Sequence, residues 1–332
     1  MAGIKKVVIT GGAGYIGSLL TGKFLANGYE VEVIDKLLFG GDHMLCYTSD
    51  RFELLPYDIM DVAEGALEAA CSGADAVIHL AALVGFPACQ QVGPSVSRRY
   101  NVETTKRMFE AATNEGVPKF VFASTYSNYG KSLDGKPVTE ESPLNPQSIY
   151  AENKIESEEF LLNAQADCKP VILRLSTLFG ASPRTRFDLI VNQFVLEAMT
   201  KGKIIIYQKD YRRSFCHVID IVSCMYDSVA NWGLDSYDEI WNVGSDEHNL
   251  SKEEVIDLIR AKIPLEIEYK DLSFGGDMRD ITVSFDKIKQ KHNFSPAISV
   301  EGGIREIRHI IDSGLIKNPF DDKYRNAKFI VS

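Results

Sequence analysis

The sequence predicts an α/β fold in which a doubly wound parallel sheet is followed by a smaller C-terminal lobe. Short apolar runs rich in β-branched residues alternate with helix-length segments through the first half of the chain. Such alternation is typical of parallel sheets covered by helices on both faces. The first run, Val7–Ile9, leads into a turn with closely spaced glycines and then a helical segment. This order is typical of a Rossmann-type strand–turn–helix unit.

The glycine turn predicts a dinucleotide-binding site. Gly11 and Gly14 remove side chains where the backbone must approach a phosphate, and Gly17 lets the first helix pack closely on the strand. The start of that helix offers free N–H groups and a positive dipole end to a pyrophosphate. Tyr15 and Ile16 lie within the same turn and are included among the predicted cofactor-binding residues.

Two acidic residues at strand ends extend this site. Asp35 closes the second predicted strand, near where a ribose-binding acid is expected. A carboxylate there accepts hydrogen bonds from the ribose hydroxyls and repels a 2′-phosphate. It therefore favours NAD over NADP, a preference that the adjacent Lys36 weakens slightly. Asp58, followed by Ile59, ends the third strand and is predicted to reach the adenine amino group.

The fourth predicted strand, residues 76–83, ends in small residues. Leu80, Ala81 and Ala82 suit close packing against a cofactor. His79 lies inside this apolar run and is interpreted as a core histidine rather than a catalytic one.

The next segments continue the alternation of strands and helices. Residues 84–96 contain Gly, Pro and Cys without helical periodicity, so a loop is predicted there. A helix is predicted from about residue 97 to residue 115. Apolar runs at 119–124 and 171–175 supply the fifth and sixth strands.

Charge, hydropathy and cysteine spacing argue against several classes of protein. The 332 residues carry a formal net charge of -10, so general binding to nucleic acid is not expected. The chain enters its first strand without the regions of a signal peptide, and its apolar runs are too short to span a bilayer. The six cysteines are scattered without metal-binding spacing. We therefore expect reduced thiols, no metal site and a cytoplasmic protein.

A tyrosine and a lysine four residues apart follow the fifth strand. The segment opens a helix, for which Ser148 is the predicted N-cap, so Tyr150 and Lys154 share one helix face. An ammonium near a phenol favours the phenolate and lowers the pKa of the phenol from about 10. The phenolate can then take a proton from a substrate hydroxyl as hydride leaves its carbon.

Together these motifs resemble the extended short-chain dehydrogenase/reductases of the nucleotide-sugar epimerase/dehydratase type. The resemblance covers nearly the whole chain. It rests on Gly11-x-x-Gly14-x-x-Gly17, Asp35, Asp58-Ile59, Leu80-Ala81-Ala82, Asn101-Val102, Ser124-Thr125-x-x-x-Tyr129-Gly130, Tyr150-x-x-x-Lys154, the run from Arg174 to Gly180 and the run from Arg213 to Asp220. In the last run, Ser214 and Phe215 depart from the usual pattern. The resemblance implies NAD as the cofactor and Asn101 as a further cofactor-binding residue.

The resemblance also implies catalytic roles. Thr125 falls on the catalytic Ser/Thr position, Tyr150 acts as acid and base, and Lys154 holds the nicotinamide ribose. The 4,6-dehydratases of this type carry Asp and Glu after that threonine. Here the two positions are Tyr126 and Ser127, neither of which is a ready proton donor and base near neutral pH. This departure argues against a dehydratase.

The chain after the sixth strand resembles a substrate-binding lobe. We expect a cofactor-binding domain over residues 1–175 and a nucleotide-sugar-binding lobe over residues 176–332, with interleaved segments and a soft boundary. Arg213 and Arg279 match diphosphate-binding positions, and the guanidinium fork of arginine suits phosphate oxygens. The predicted substrate-binding residues are Val84, Ser124, Ser127, Asn192, Tyr207, Arg213 and Arg279. His217 and Asp220 are expected to brace the lobe.

The implied activity is NAD-dependent oxidation and reduction at C4 of a nucleotide-diphosphate sugar. A 4-epimerase returns the hydride to the opposite face of the sugar. A 4-dehydrogenase or 4-ketoreductase of a bacterial glycan pathway is the alternative, and the sequence does not decide between them. A dinucleotide-sensing protein without turnover is a further alternative, against which the intact pair of Tyr150 and Lys154 argues.

The resemblance further implies a homodimer. The helices near 100–115 and 150–165 would pack as a four-helix bundle between two subunits. Apolar residues on these helices fit such a face, but they fit simple core packing equally well; they are Val102, Met108, Ile155 and Phe160.

Overall fold

The structure, a computed structural model, describes residues 5–132, 135–270 and 280–326. Within these ranges the strands are β1 (Lys6–Thr10), β2 (Glu30–Ile34), β3 (Phe52–Leu55), β4 (Ala76–His79), β5 (Lys119–Thr125), β6 (Lys169–Leu175), β7 (Thr177–Phe179), β8 (Lys203–Tyr207), β9 (Arg212–His217), β10 (Glu239–Val243), β11 (Asn249–Ser251) and β12 (Glu266–Lys270). The helices are α1 (Gly17–Ala26), α2 (Ala66–Cys71), α3 (Phe86–Arg98), α4 (Thr104–Asn114), α5 (Ile149–Asn163), α6 (Ile190–Lys201), α7 (Val218–Ala230), α8 (Lys252–Arg260), α9 (Asp286–His292) and α10 (Val300–Asp312). None of the helices described is long and apolar enough to cross a membrane.

The main sheet is parallel, with the strand order β10-β6-β5-β4-β1-β2-β3 in the described part of the chain. The chain builds outward from β1 to β3 and then returns to the other side of β1. This arrangement confirms the predicted doubly wound fold. Because the order reverses between β1 and β4, a crevice opens at the carboxyl ends of these two strands, where such sheets bind ligands.

Alternate residues of the central strands face two hydrophobic layers. Val7 and Ile9 pack in the layer that contains Leu20 of α1, whereas Val8 packs in the layer that contains Met108 of α4. Both faces of the sheet are therefore covered. A strand buried on both sides needs apolar residues at every position, which is why these strands appear as continuous apolar runs.

The prediction of a loop at residues 84–96 is wrong. The structure has α3 there, and a single π-helical turn, Arg99–Glu103, joins it to α4. Within α3, Gly93 has φ of 81° and is followed by Pro94. These two residues break the helical pattern locally, while Ala88 and Cys89 are buried. Tertiary packing thus holds a kinked helix that local propensity does not predict.

One smaller prediction needs adjustment. The fourth strand ends at His79 rather than at residue 83. The predicted N-cap at Ser148 is confirmed, because its hydroxyl accepts a hydrogen bond from the Ala151 N–H at 3.2 Å.

The later part of the chain forms two small sheets around a third hydrophobic core. Strand β9 pairs with β11 and β7, and β8 pairs with β12. One strand from this part returns to the main sheet, because β10 pairs in parallel with β6. Residues on either side of position 175 therefore share one sheet.

The close contact between α1 and the glycine turn gives a first prediction. A Cβ atom at Gly17 would lie 2.3 Å from the Gly11 carbonyl oxygen and 2.6 Å from Gly12 Cα. We expect Gly17→Ala to lower the free energy of unfolding by about 1–3 kcal/mol, as overpacking does. Urea unfolding measures this loss.

Gly302→Ala is the control for that change. Gly302 lies inside α10, and its added Cβ would first meet a side-chain methyl of Ile298 at 3.2 Å. An equal loss of stability in both variants would contradict the steric argument.

Candidate active site

A large cleft opens at the crevice between β1 and β4. Its volume is about 1410 Å³. The glycine turn, the ends of the central strands and the start of α5 form one side, and the segment 184–190 with β8 forms the other. Such a volume exceeds that of an ordinary small-molecule pocket, which is about 300–1,000 Å³, so the cleft can hold two ligands.

The glycine turn forms a tight backbone cradle that packs against the end of β4. Gly11 has φ of 69°, and a Cβ there would lie 2.7 Å from the Ala81 nitrogen. Gly14, Tyr15, Ile16 and Gly17 continue the same wall of the cleft. Backbone thus faces the cleft where the turn meets α1, as phosphate binding at a helix start requires.

Asp35 is held by backbone N–H groups at the end of β2. Its Oδ1 accepts a hydrogen bond from the Leu37 N–H at 2.8 Å, and its Oδ2 accepts one from the Ala13 N–H at 3.0 Å. Burial raises the pKa of Asp35, although these hydrogen bonds oppose the rise. The carboxylate is fixed and faces the same cleft.

Asp58 lies in a small polar cluster at the outer end of the cleft. Its Oδ2 accepts hydrogen bonds from Lys36 Nζ at 2.6 Å and from the Tyr100 hydroxyl at 3.2 Å, and its Oδ1 accepts one from the Met60 N–H at 2.9 Å. Burial favours a higher pKa, but Lys36 and Met60 hold the pKa of Asp58 below its usual value. An adenine amino group would share this occupied carboxylate. Ile59 lines the cleft beside it.

The end of β4 supplies small residues to the cleft wall. Leu80, Ala81, Ala82 and Val84 all line it. Asn101 is not brought into the cleft. It is buried behind this segment, where its Oδ1 accepts a hydrogen bond from the Leu83 N–H at 2.9 Å, so its amide shapes the wall.

Tyr150 and Lys154 face the cleft from the first turns of α5. Lys154 Nζ donates a hydrogen bond to the Ala123 carbonyl at 2.7 Å and lies 6.0 Å from the centroid of the Tyr150 ring. Burial lowers the pKa of Lys154 to about 8, and the negative charge of Glu158 opposes this shift. The lysine is positioned to influence the phenol electrostatically.

The end of β5 presents hydroxyl groups opposite this pair. Thr125 Oγ1 donates to Ser127 Oγ at 3.0 Å and accepts from the Ser127 N–H at 3.2 Å. Tyr126 lies beside them with its hydroxyl 2.8 Å from Thr177 Oγ1. Ser124 also lines the cleft, but its hydroxyl donates to Glu158. These contacts form a hydroxyl-rich strand end beside Tyr150.

A buried ion pair behind this strand end was not anticipated from the sequence. Arg174 Nη2 donates to Glu158 Oε2 at 2.6 Å, and both side chains are about 3% exposed. Arg174 Nη1 donates to the Tyr129 hydroxyl at 2.9 Å, and that hydroxyl donates to Asn242 Oδ1 at 2.8 Å. The one available signal was that Glu158 follows Lys154 by four residues and so shares its helix face.

The substrate-lobe side of the cleft contains fewer of the predicted residues. Tyr207 and the buried Arg213 line it, together with Lys252, whose Nζ donates to the Tyr207 carbonyl at 2.8 Å. Asn192 is buried elsewhere, with its amide bonded to the backbone of Gly180 at 3.0 Å. Arg279 lies outside the described residues.

Three residues of the loop before α6 complete this wall. Arg186 Nε and Nη2 donate to the Asp188 carboxylate at 2.9 and 3.0 Å, and Arg184 lies beside them. None of these three side chains is predicted from the sequence to bind a ligand. Arginines in a polar loop carry no signal that distinguishes a surface position from a buried one.

Other polar residues have structural roles. His79 is buried, with Nδ1 2.8 Å from Thr10 Oγ1, and burial lowers its pKa to about 3, which confirms the core interpretation. His217 Nε2 lies 2.8 Å from Glu306 Oε2. The Asp220 carboxylate accepts two backbone N–H hydrogen bonds at 3.0 and 3.1 Å, so these residues brace the lobe.

Comparison with known proteins identifies the family. A sequence profile of the NAD dependent epimerase/dehydratase family matches residues 7–244, which is most of the chain. The chain belongs to this family. The cofactor of this epimerase/dehydratase-family enzyme is NAD, and the resemblance inferred from its motifs is confirmed.

Three relatives illustrate the range of the family. The UDP-glucose 4-epimerase of Corynebacterium glutamicum is 26% identical over 88% of this chain and 91% of its own. The UDP-glucose 4-epimerase of Thermotoga maritima, solved with UDP-glucose, has a TM-score of 0.81 and 25% identity over 93% of this chain and 99% of that chain. DesIV of Streptomyces venezuelae, a dTDP-glucose 4,6-dehydratase solved with NAD, has a TM-score of 0.80 and 25% identity over 93% and 98%.

The residues that line the cleft of this enzyme fit NAD. The turn around Gly11 and Gly17 keeps its tight backbone only without side chains, because a Cβ atom at either position would overlap neighbouring backbone, and Asp35 presents a fixed carboxylate near it. Glycine backbone for a diphosphate and an acid for a ribose are the expected partners of a dinucleotide.

The buried lysine gives a second prediction. The pKa of Lys154 is about 8 in the folded chain and about 10.4 when unfolded. Between these values the unfolded state binds more protons, so the free energy of unfolding rises with pH by up to about 1.4 kcal/mol per pH unit. Lys154→Met lacks this contribution. We therefore expect the stability of Lys154→Met minus that of the wild type to fall from pH 8 to pH 10.5.

Urea unfolding of both proteins without cofactor at several pH values measures this difference. A difference that stays constant from pH 7 to pH 10.5 would show that Lys154 keeps its ordinary pKa in the folded chain.

The buried ion pair gives a third prediction. Glu158→Gln leaves the Arg174 charge buried without its carboxylate, and we expect a loss of about 3–5 kcal/mol in the free energy of unfolding. Glu156→Gln is the matched control on the same helix. Its ion pair with Arg98 is more than a third exposed, so its loss should stay below about 1 kcal/mol. Equal losses in the two variants would refute a special role for the buried pair.

Proposed function

We propose that this enzyme oxidises and reduces C4 of a nucleotide-diphosphate sugar and acts as a nucleotide-sugar 4-epimerase. The observation that carries the proposal is that Tyr150, Lys154 and Thr125 all line one cleft, with Lys154 Nζ 6.0 Å from the centroid of the Tyr150 ring. The same cleft contains the dinucleotide cradle. A proton acceptor and a hydride acceptor on one substrate carbon are what alcohol oxidation requires.

In the proposed reaction, Tyr150 takes the proton of the C4 hydroxyl and later returns it. Lys154, if charged, favours the phenolate that does so. Thr125 turns its hydroxyl hydrogen from Ser127 to the same substrate oxygen and orients it. NAD, when bound, would supply the acceptor and donor of the C4 hydride. Epimerisation follows when the ketosugar turns over before the hydride returns.

The strand end argues against water elimination. A 4,6-dehydratase needs an acid and a base beside the sugar in addition to the tyrosine. Tyr126 and Ser127 occupy those positions here, and Ser127 is already bonded to Thr125. Hydroxyl groups of ordinary acidity stay protonated near neutral pH and do not replace a carboxylic acid and a carboxylate, so the site favours chemistry at C4 without elimination.

The substrate diphosphate and base are assigned to the lobe side of the cleft. Arg213 is buried there and offers a guanidinium fork that suits phosphate oxygens. Tyr207 and Lys252 lie nearby at the end of β8 and the start of α8. Arg279 is retained as a further phosphate ligand on sequence grounds. These positions lie across the cleft from the dinucleotide cradle.

The test starts from purified protein with its retained dinucleotide and a panel of UDP- and dTDP-sugars. The epimerase proposal expects inversion at C4 with no net change in NADH absorbance. Accumulation or consumption of NADH in proportion to product would replace the epimerase with a 4-dehydrogenase or 4-ketoreductase. Loss of water from the sugar would overturn the argument from Tyr126 and Ser127.

Removing the phenol hydroxyl gives a fourth prediction. Tyr150→Phe should lower kcat by about 10²–10⁴-fold, the usual contribution of a positioned acid or base, while NAD binding is retained. Tyr269→Phe is the control, because Tyr269 is 50% exposed on β12 and is not among the residues that line the cleft, so its variant should keep full activity. Full activity in Tyr150→Phe would exclude it as the acid and base, whereas loss of NAD as well would show a structural defect.

We also propose a homodimer and a cytoplasmic location. Val102 and Met108 cannot form the dimer face, because both are fully buried within their own subunit. Val96 and Leu162 are exposed apolar residues on α3 and α5, and they offer a face instead. All six cysteines are free, which fits a reducing compartment. Sedimentation equilibrium tests the dimer.

A further inference from the structure

Arg184 is a buried cation whose hydrogen bonding is incomplete. The residue is only 4% exposed and lines the cleft. Its Nη1 donates to Asn326 Oδ1 at 2.6 Å, but Nε and Nη2 have no hydrogen-bond acceptor among the described residues. Burying a charge without satisfying its donors is costly. The arrangement therefore calls for an anion.

The contacts of the loop place Arg184 over the dinucleotide cradle. Its guanidinium carbon lies 3.7 Å from the centroid of the Phe39 ring, in the segment that follows Asp35. Ser182 Oγ is 3.4 Å from Ser18 Oγ in α1, and the Tyr15 hydroxyl donates to the Gly180 carbonyl at 2.7 Å. The loop is thus anchored to the start of α1.

We propose that Arg184 binds the diphosphate of NAD from the side opposite the glycine turn, with Nε and Nη2 as its donors. The turn offers N–H groups and a helix dipole, which together supply only a partial positive charge. A diphosphate carries full negative charges, and a guanidinium fork matches its oxygens. The inference concerns cofactor binding and does not depend on the sugar chemistry proposed above.

Three other cations that line the cleft are already paired with acids. The pairs are Lys36 with Asp58, Arg99 with Asp61, and Arg186 with Asp188. Burial and the neighbouring Arg186 lower the pKa of Arg184, as expected for a cation without a bonded carboxylate. A bound diphosphate would stabilise the charged form of the Arg184 guanidinium.

The C-terminal segment orients this arginine. Asn326 accepts from Arg184 through its side chain and donates its backbone N–H to Asp188 Oδ2 at 3.0 Å. The Phe187 N–H donates to the Tyr324 carbonyl at 3.0 Å. Asn326 is therefore a positioning residue, which leaves two of the three guanidinium nitrogens directed to the ligand.

The fifth prediction tests the assignment by binding rather than by turnover. Dinucleotide-free wild type, Arg184→Gln and Arg184→Lys are titrated calorimetrically with NAD, ADP-ribose and adenosine. Loss of a charge-assisted contact predicts that Arg184→Gln binds NAD and ADP-ribose about 10- to 100-fold more weakly, by the same factor for both. Adenosine, which lacks the diphosphate, should bind unchanged, and Arg184→Lys should fall between wild type and Arg184→Gln.

Arg305→Gln is the control, because Arg305 is 62% exposed on α10, and it should bind all three ligands normally. Unchanged NAD affinity in Arg184→Gln, or an equal loss for adenosine, would overturn the proposal. So would a loss of UDP affinity with NAD affinity intact, which would assign Arg184 to the substrate. If Arg184→Gln does not fold, Asn326→Ala replaces it, and the same selective weakening of the diphosphate ligands, by a smaller factor, is expected.

Discussion

The buried ion pair between Glu158 and Arg174 fixes the chemical half of the site. Glu158 lies one turn after Lys154 on α5, and Arg174 lies on β6. Ser124, at the end of β5, donates to the same carboxylate. One helix and two strands therefore meet at this buried ion pair, and removing either charged group would leave the other buried without a partner at a large cost in stability. This constraint sets the distance between the face of α5 that holds Tyr150 and the strand end opposite it.

The main sheet could be predicted because its strands are buried on both faces, so their apolar runs need no periodicity. Local chemistry sufficed for the start of α5 at Ser148, whose hydroxyl caps its own helix. It did not suffice for α3, because Gly93 and Pro94 oppose a helix locally, whereas burial of Cys89 beside Asn101 and the Leu83 carbonyl stabilises one. Packing between distant segments decided the outcome there.

The same distinction applies to the site. Gly11 and Gly17 could be recognised from the sequence, because closely spaced glycines indicate positions where backbone segments approach each other too closely for a side chain. Asn101 and Asn192 were expected in the cleft, but backbone groups and neighbouring side chains use their amides, and sequence does not show where an amide points. Arg184 could not be recognised, since its partner Asn326 is 142 positions away.

The place of β10 in the sheet bears on how the chain folds during synthesis. Its partner β6 ends at Leu175, but β10 begins only at Glu239, after the intervening residues have left the ribosome. Until then the outer edge of β6 exposes unpaired backbone groups beside apolar side chains, which is a template for association with other chains. Closing this long-range pairing is intrinsically slow. A nascent chain whose β6 has left the ribosome before β10 has been made therefore presents an unpaired strand edge to other chains.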